Sequence, residues 1–121
     1  MNRILVIEDE AHIRENIQEI LELENYQVIV AANGCLGIQL AKQQLPNLII
    51  CDVMMPEVDG YGVLTVLRQD ALTAATPFIF LSANADKSNL RQGMELGADD
   101  YLTKPFTPAQ LLKAIATQLA K

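Results

Sequence analysis

Residues 48–60 read Leu48-Ile49-Ile50-Cys51-Asp52-Val53-Met54-Met55-Pro56-Glu57-Val58-Asp59-Gly60. A continuous apolar run is the pattern of a strand covered on both faces, as in a parallel sheet with helices on each side. The aspartate that follows stands at the carboxyl end of that strand, and Pro56 and Gly60 mark the loop beyond it. The same pattern recurs outward from this stretch. Ile4-Leu5-Val6-Ile7 runs into Glu8 and Asp9, Phe78-Ile79-Phe80-Leu81 into Ser82, and Tyr101-Leu102-Thr103 into Lys104.

Helical patterns separate these runs. Strands are predicted over 3–7, 27–31, 47–51, 78–81 and 101–102, and helices over 11–23, from about 36 to before Pro46, 61–69, 85–96 and from 108 to about 120. Ile13, Ile17, Ile20 and Leu21 share one face of the first helix. Gly97 ends the fourth, and Thr107-Pro108 reads as a cap followed by proline at the first position of the fifth. Five alternations of strand and helix predict a doubly wound α/β domain with a parallel sheet. In such a sheet the carboxyl ends of the strands share one edge, where ligands bind. Glu8, Asp9, Asp52, Ser82 and Lys104 are therefore expected to converge.

Bulk composition narrows the function. The chain has 121 residues, about the length of one domain, and half are apolar, enough for a core without disulfides. Nine basic against 15 acidic residues give a net charge of −6, which argues against direct nucleic-acid binding. No apolar run approaches the ~20 residues of a membrane span, and no signal peptide is visible. Cys35 and Cys51 have no metal-binding spacing, so the reading is a reducing, cytoplasmic setting with Cys51 as a core thiol. His12, early in a helix beside acids, reads as a solvated residue rather than a phosphoryl carrier.

Glu8, Asp9 and Asp52 would crowd three carboxylates, each raising the proton affinity of the others. A divalent cation relieves that cost, and magnesium, or manganese in its place, prefers such oxygen ligands. Asp52 is then placed as a nucleophile toward a phosphoryl group. Lys104 offers an ammonium and Ser82 a hydroxyl to the phosphoryl oxygens. Taken singly, each of these residues reads as an ordinary turn or loop residue; their joint placement carries the inference.

At these residues the chain closely resembles the receiver domain of two-component response regulators. The matching stretches are ILVIEDE at 4–10, LIICDVMMPEVDGYGVL at 48–64, FIFLSA at 78–83 and GADDYLTKPF at 97–106. The resemblance implies a flavodoxin-like fold, a five-stranded parallel sheet of order 2-1-3-4-5 flanked by five helices. It implies Asp52 as phosphoacceptor, Asp9 as a direct magnesium ligand, Glu8 as a second acid acting through water, and the Met54 carbonyl as a further ligand. Ser82 and Tyr101 correspond to the switch pair, Lys104 to the family's lysine, and the Lys104–Pro105 bond to one expected to be cis. Met54 and Asn84 occupy the positions that tune loss of phosphate; apolar Met54 predicts slow-to-moderate loss. A histidine kinase or phosphotransfer protein would supply the phosphoryl group. The face made by helix four, strand five and helix five would pass the signal to a protein partner or a second copy of the chain.

Two departures are modest: Glu8 stands where Asp is commoner, and Ser82 where Thr is commoner. Ala114 stands where symmetric-dimer subfamilies tend to carry arginine, which speaks against that dimer. A stand-alone regulator and a receiver belonging to a longer protein both stay open. The rivals are a phosphatase with an aspartyl nucleophile, a flavodoxin-like binding module and a receiver that is never phosphorylated. The first lacks the second acid two residues past Asp52, and the second lacks a glycine-rich loop after the first strand. The intact acids, hydroxyl and lysine weigh against the third. The chain is thus expected to be a signalling phosphoacceptor rather than an enzyme acting on other substrates.

Overall fold

The computed structural model describes residues 2–83 and 87–121, the side chains of 87–90 excepted. Five strands alternate with five helices in chain order: β1 (Arg3–Ile7), α1 (Ala11–Leu23), β2 (Gln27–Ala31), α2 (Gly34–Gln44), β3 (Leu48–Asp52), α3 (Gly60–Gln69), β4 (Phe78–Ser82), α4 (Lys87–Glu95), β5 (Asp100–Thr103) and α5 (Pro108–Leu119). The strands are parallel and lie in the order β2-β1-β3-β4-β5, as expected.

Alternation along each strand sorts the core into two layers. Leu5, Ile7, Ile49, Cys51, Phe78 and Phe80 face the side covered by α2 and α3. Ile4, Val6, Leu48, Ile50, Ile79 and Leu81 face the side covered by α1 and α5, where Ile17, Leu21, Leu111 and Ile115 meet them. Every residue of β3 and β4 is buried, so both strands read as unbroken apolar runs up to their last residue.

Element ends differ from the sequence reading by one or two residues, each for a local reason. β3 runs over 48–52 rather than 47–51 and β4 over 78–82 rather than 78–81, so Asp52 and Ser82 are the last strand residues. Asp52 pairs with Leu81, and Ser82 with Thr103. β5 spans four residues rather than two because Asp100 pairs with Ile79 at its start. The second and third helices begin at glycines that read as breakers. Gly34 follows Asn33, whose side chain accepts from the Leu36 N–H at 2.8 Å, and Gly60 follows Asp59, which accepts from the Gly62 N–H at 2.8 Å. The described part of α4 ends at Glu95 rather than Leu96, before Gly97 at φ +105. α5 ends at Leu119, one residue short of expectation, and opens with a capping box in which Thr107 and Gln110 bond reciprocally.

At the opposite edge of the sheet Arg68 ties three segments together. Its guanidinium donates to the Gly97 carbonyl at 2.9 Å and the Thr76 carbonyl at 2.7 Å, and pairs with Asp99 at 3.1 Å. Among the described residues, no helix is long and apolar enough to cross a membrane.

Candidate functional site

The strand register builds the site. The last rung between β1 and β3 pairs Ile7 with Cys51. One residue beyond, Glu8 and Asp52 share the side-chain phase of Val6 and Ile50. Asp9 follows in the β1–α1 turn. Lys104 follows β5, its N–H donating to the Ser82 carbonyl at 2.7 Å, and the Lys104–Pro105 bond is cis.

Three carboxylates converge as expected. One oxygen each of Glu8, Asp9 and Asp52 lies within 4.8 Å of the other two. Glu8 is fully buried and Asp52 nearly so, whereas Asp9 is exposed. Lys104 Nζ stands 2.7 Å from Glu8 Oε1 and 3.2 Å from Asp52 Oδ1, so one ammonium bridges the two buried acids. The Glu8 carboxylate also accepts from the Glu10 N–H at 3.3 Å.

Electrostatics follow from this burial. Desolvation pushes the Glu8 carboxyl up from 4.5 to about 7; the charge of Asp52 adds to the rise and Lys104 opposes it. Burial likewise raises the Asp52 carboxyl, with Asp9 adding and Lys104 opposing. Burial would lower the Lys104 ammonium, but its bond to Glu8 and the charges of Asp52 and Glu8 outweigh this and raise it. The Cys51 thiol is raised well above its ordinary value, first by burial and then by Asp52, Glu8 and Asp59. It behaves as a core residue, donating to the Asp52 carbonyl at 3.3 Å.

These acids fit a hard divalent cation. Oxygen donors converge, two are withdrawn from water, and burial pushes one of them up to about 7 despite the ammonium beside it. A dication bound there would favour the ionised carboxylates, as magnesium does with oxygen ligands.

Ser82, Tyr101 and Met54 sit on β4, on β5 and in the loop after β3. Ser82, almost fully buried, ends β4. Tyr101 sits half-buried on β5, packed on the α2/α3 side of the core. Met54 lies two residues past Asp52 with its side chain 75% exposed. Asn84 lies outside the described residues. His12 is exposed, as expected. Gly60 is required by close approach: a Cβ there would meet the Asp52 carbonyl oxygen and lie 2.9 Å from Val53 Cα. Its N–H donates to the Val53 carbonyl at 2.8 Å, which holds the start of α3 against the end of β3.

Sequence reasoning missed two contacts. It assigned Lys104 to a phosphoryl oxygen and did not see that Glu8 is the acid nearest its ammonium. It also passed over Arg14, whose Nη1 donates to the Glu8 carbonyl at 2.9 Å. A basic residue six positions past a strand-end acid is the only trace of that contact in the sequence.

Of two depressions on the surface, one shares Lys104 with the site. A cavity of about 400 Å³ is lined by Ile13, Asn16, Ala83, Lys104, Pro105 and Phe106. A shallower one of about 270 Å³ lies between β5 and α5, with Asp100, Tyr101 and Lys113 on its walls.

Comparison with known proteins bears on this geometry. The family model described as "Response regulator receiver domain" matches residues 4–116. The DNA-binding dual master transcriptional regulator RpaA of Synechocystis sp. is 40% identical over 121 residues, covering all of this chain and 50% of the relative. The phosphate regulon transcriptional regulatory protein PhoB of Pseudomonas aeruginosa is 38% identical over 118 residues, covering 98% of this chain and 52% of the relative. The chain thus spans about half the length of these relatives. Among solved structures, the Vibrio cholerae chemotaxis protein CheY4 superposes with a TM-score of 0.93 at 29% identity, covering 97% of this chain and 98% of the other. The receiver domain of the sensor histidine kinase PA1611 from Pseudomonas aeruginosa, with a magnesium ion coordinated in its active-site cleft, superposes with a TM-score of 0.92 at 28% identity. That match covers 99% of this chain and 98% of the other.

Proposed function

This chain belongs to the response regulator receiver family, and on that premise we propose that Asp52 accepts a phosphoryl group from a histidine kinase or phosphotransfer protein. The observation that carries the reading is the convergence of Glu8, Asp9 and Asp52 with the bridging ammonium of Lys104.

An oxygen of Asp52 attacks the phosphorus of the donor, and the bond from phosphorus to the donor atom breaks, leaving an acyl phosphate on Asp52. Glu8, Asp9, Asp52 and the Met54 carbonyl would hold magnesium, with manganese as an alternative. Bound there, the ion would neutralise charge on the transferring group. Lys104 gives its ammonium to one phosphoryl oxygen and Ser82 its hydroxyl to another. A backbone N–H of the following loop serves the third. The Val53 N–H already donates to the Leu81 carbonyl at 3.0 Å, so that donor lies further along.

Phosphorylation adds roughly −1.5 to −2 charge at one point. Ser82 and Lys104 are drawn toward it, and Tyr101 moves into the space Ser82 leaves. The face formed by α4, β5 and α5 then favours its active arrangement, which a protein partner or a second copy of the chain selects. A net charge of −6 suits a protein partner better than a phosphate backbone. These partners imply a cytoplasmic setting and a signalling role, with catalysis limited to the chain's own phosphorylation and dephosphorylation.

The test is incubation with magnesium and acetyl phosphate, followed by intact mass. A gain of one phosphoryl group, absent without magnesium, supports the reading. No gain from either acetyl phosphate or a phosphorylated phosphotransfer protein, with magnesium binding demonstrated, would favour a scaffold that is never phosphorylated.

A further inference from the structure

Glu8 is held on every side. Its N–H donates to the Ala31 carbonyl at 3.0 Å, and its carboxylate meets Lys104 and the Glu10 N–H. Its own carbonyl lies one residue past the last rungs of β1, Ile7 with Ala31 and Ile7 with Cys51, where neither neighbouring strand continues the ladder. A buried carbonyl in that place needs a donor. Arg14 supplies it at 2.9 Å from a half-buried place on α1. Among the described residues, Arg14 forms no ion pair. A guanidinium in a segment rich in acids has therefore taken a backbone oxygen as its partner.

We infer that Arg14 is a positioning residue for the cation site, a role that rests on the receiver reading above. By holding the Glu8 carbonyl it fixes the β1–α1 turn, the segment that carries both Glu8 and Asp9 toward Asp52. Groups that orient the ligands of a metal govern affinity as the ligands themselves do. The two effects of Arg14 have opposite signs. Its charge opposes a dication in the same region, whereas its hydrogen bond assembles the acids that bind one. Replacing it with a neutral side chain therefore separates them: charge alone predicts tighter magnesium binding, and positioning predicts weaker binding.

The experiment is calorimetric titration of the whole chain with magnesium, for the wild type, Arg14→Met and Arg14→Lys, with melting of each protein followed in EDTA. Arg14→Met is expected to bind magnesium about 10-fold more weakly, in the range found when groups orienting metal ligands are removed. Arg14→Lys, which keeps a charge and a donor, is expected to recover most of that loss, and all three proteins to melt cooperatively in EDTA. Binding by Arg14→Met as tight as the wild type's, or tighter, overturns the inference. So does weakened binding that Arg14→Lys fails to recover while both variants melt early in EDTA, since that marks a general loss of structure. If Arg14→Met loses cooperative melting, Arg14→Gln is judged by the same criterion. A wild type that binds no magnesium overturns the receiver reading itself, and this inference with it.

Discussion

Lys104 and Glu8, 96 positions apart in sequence, meet at 2.7 Å, closer than Lys104 comes to Asp52 at 3.2 Å. The ammonium thus sits between two buried acids and is shared unequally. An account of the site as an acceptor aspartate with a lysine beside it leaves out this third partner. Glu8 is long enough to reach both the lysine and the carboxylate cluster, and that reach shapes what happens without a cation.

The pH dependence of stability follows directly. Glu8 holds its proton more tightly in the folded chain, with the carboxyl raised from 4.5 to about 7. Its contribution favours the fold fully below pH 4.5 and is lost as pH rises through about 7. A shift of that size corresponds to about 3 kcal/mol. In EDTA the melting temperature is expected to fall between pH 5 and 8, and Glu8→Gln to remove much of that slope. Magnesium is expected to restore stability at pH 8 by binding the ionised acids. Thermal melting across this window checks all three; a flat wild-type profile in EDTA would contradict the assignment.

Removing the bridging cation is more damaging. Lys104→Met leaves Glu8 and Asp52 buried with no ammonium between them. Breaking a buried pair from one side costs roughly 3–5 kcal/mol. Because both carboxyls can take up protons, the loss is expected to be largest at pH 8 and smaller at pH 5. Urea unfolding in EDTA measures it. The same variant is expected to gain phosphate from acetyl phosphate far more slowly than the wild type.

Gly60→Ala tests the seam between β3 and α3. A methyl group there meets the Asp52 carbonyl, Val53 Cα at 2.9 Å and the Phe80 ring at 3.0 Å. Two of these are backbone atoms, so the helix or the strand end has to shift. Crowding of this kind costs roughly 1–3 kcal/mol. Urea unfolding is expected to show that loss, together with weaker magnesium binding because the displaced backbone carries Asp52.

We propose Met54 as a determinant of how long the phosphoryl group lasts. Its side chain is exposed two residues past Asp52 and offers nothing to orient an attacking water. The phosphorylated chain is expected to decay over minutes or longer rather than seconds. Met54→Asn, which supplies a donor and an acceptor, is expected to shorten that lifetime several-fold. Intact mass followed over time after removal of the donor reads both.

Much of the fold is legible in the sequence because the central strands are buried on both faces. Ile4–Ile7, Leu48–Cys51 and Phe78–Leu81 are unbroken apolar runs for that reason, and the polar residue ending each run marks the site. Where a strand lies at an edge the signal weakens: β5, half-buried throughout, begins at Asp100 because of its pairing with Ile79 rather than its own composition. The starts of α2 and α3 hide behind Gly34 and Gly60. Local preference reads those glycines as breakers, while tertiary contact with Val58 and with Asp52 demands them. The Arg14 and Arg68 contacts carry no periodic signature. Each joins a side chain to backbone carbonyls that the fold alone brings near.

The central claim is that Asp52 carries the phosphoryl group. Borohydride reduces an acyl phosphate on an aspartate to homoserine and so marks the modified residue permanently. After treatment with magnesium and acetyl phosphate, reduction and peptide mass mapping, the account predicts homoserine at position 52 and no other, and none in Asp52→Asn. Homoserine at position 9 or 59, or a phosphate retained on Ser82, would contradict it.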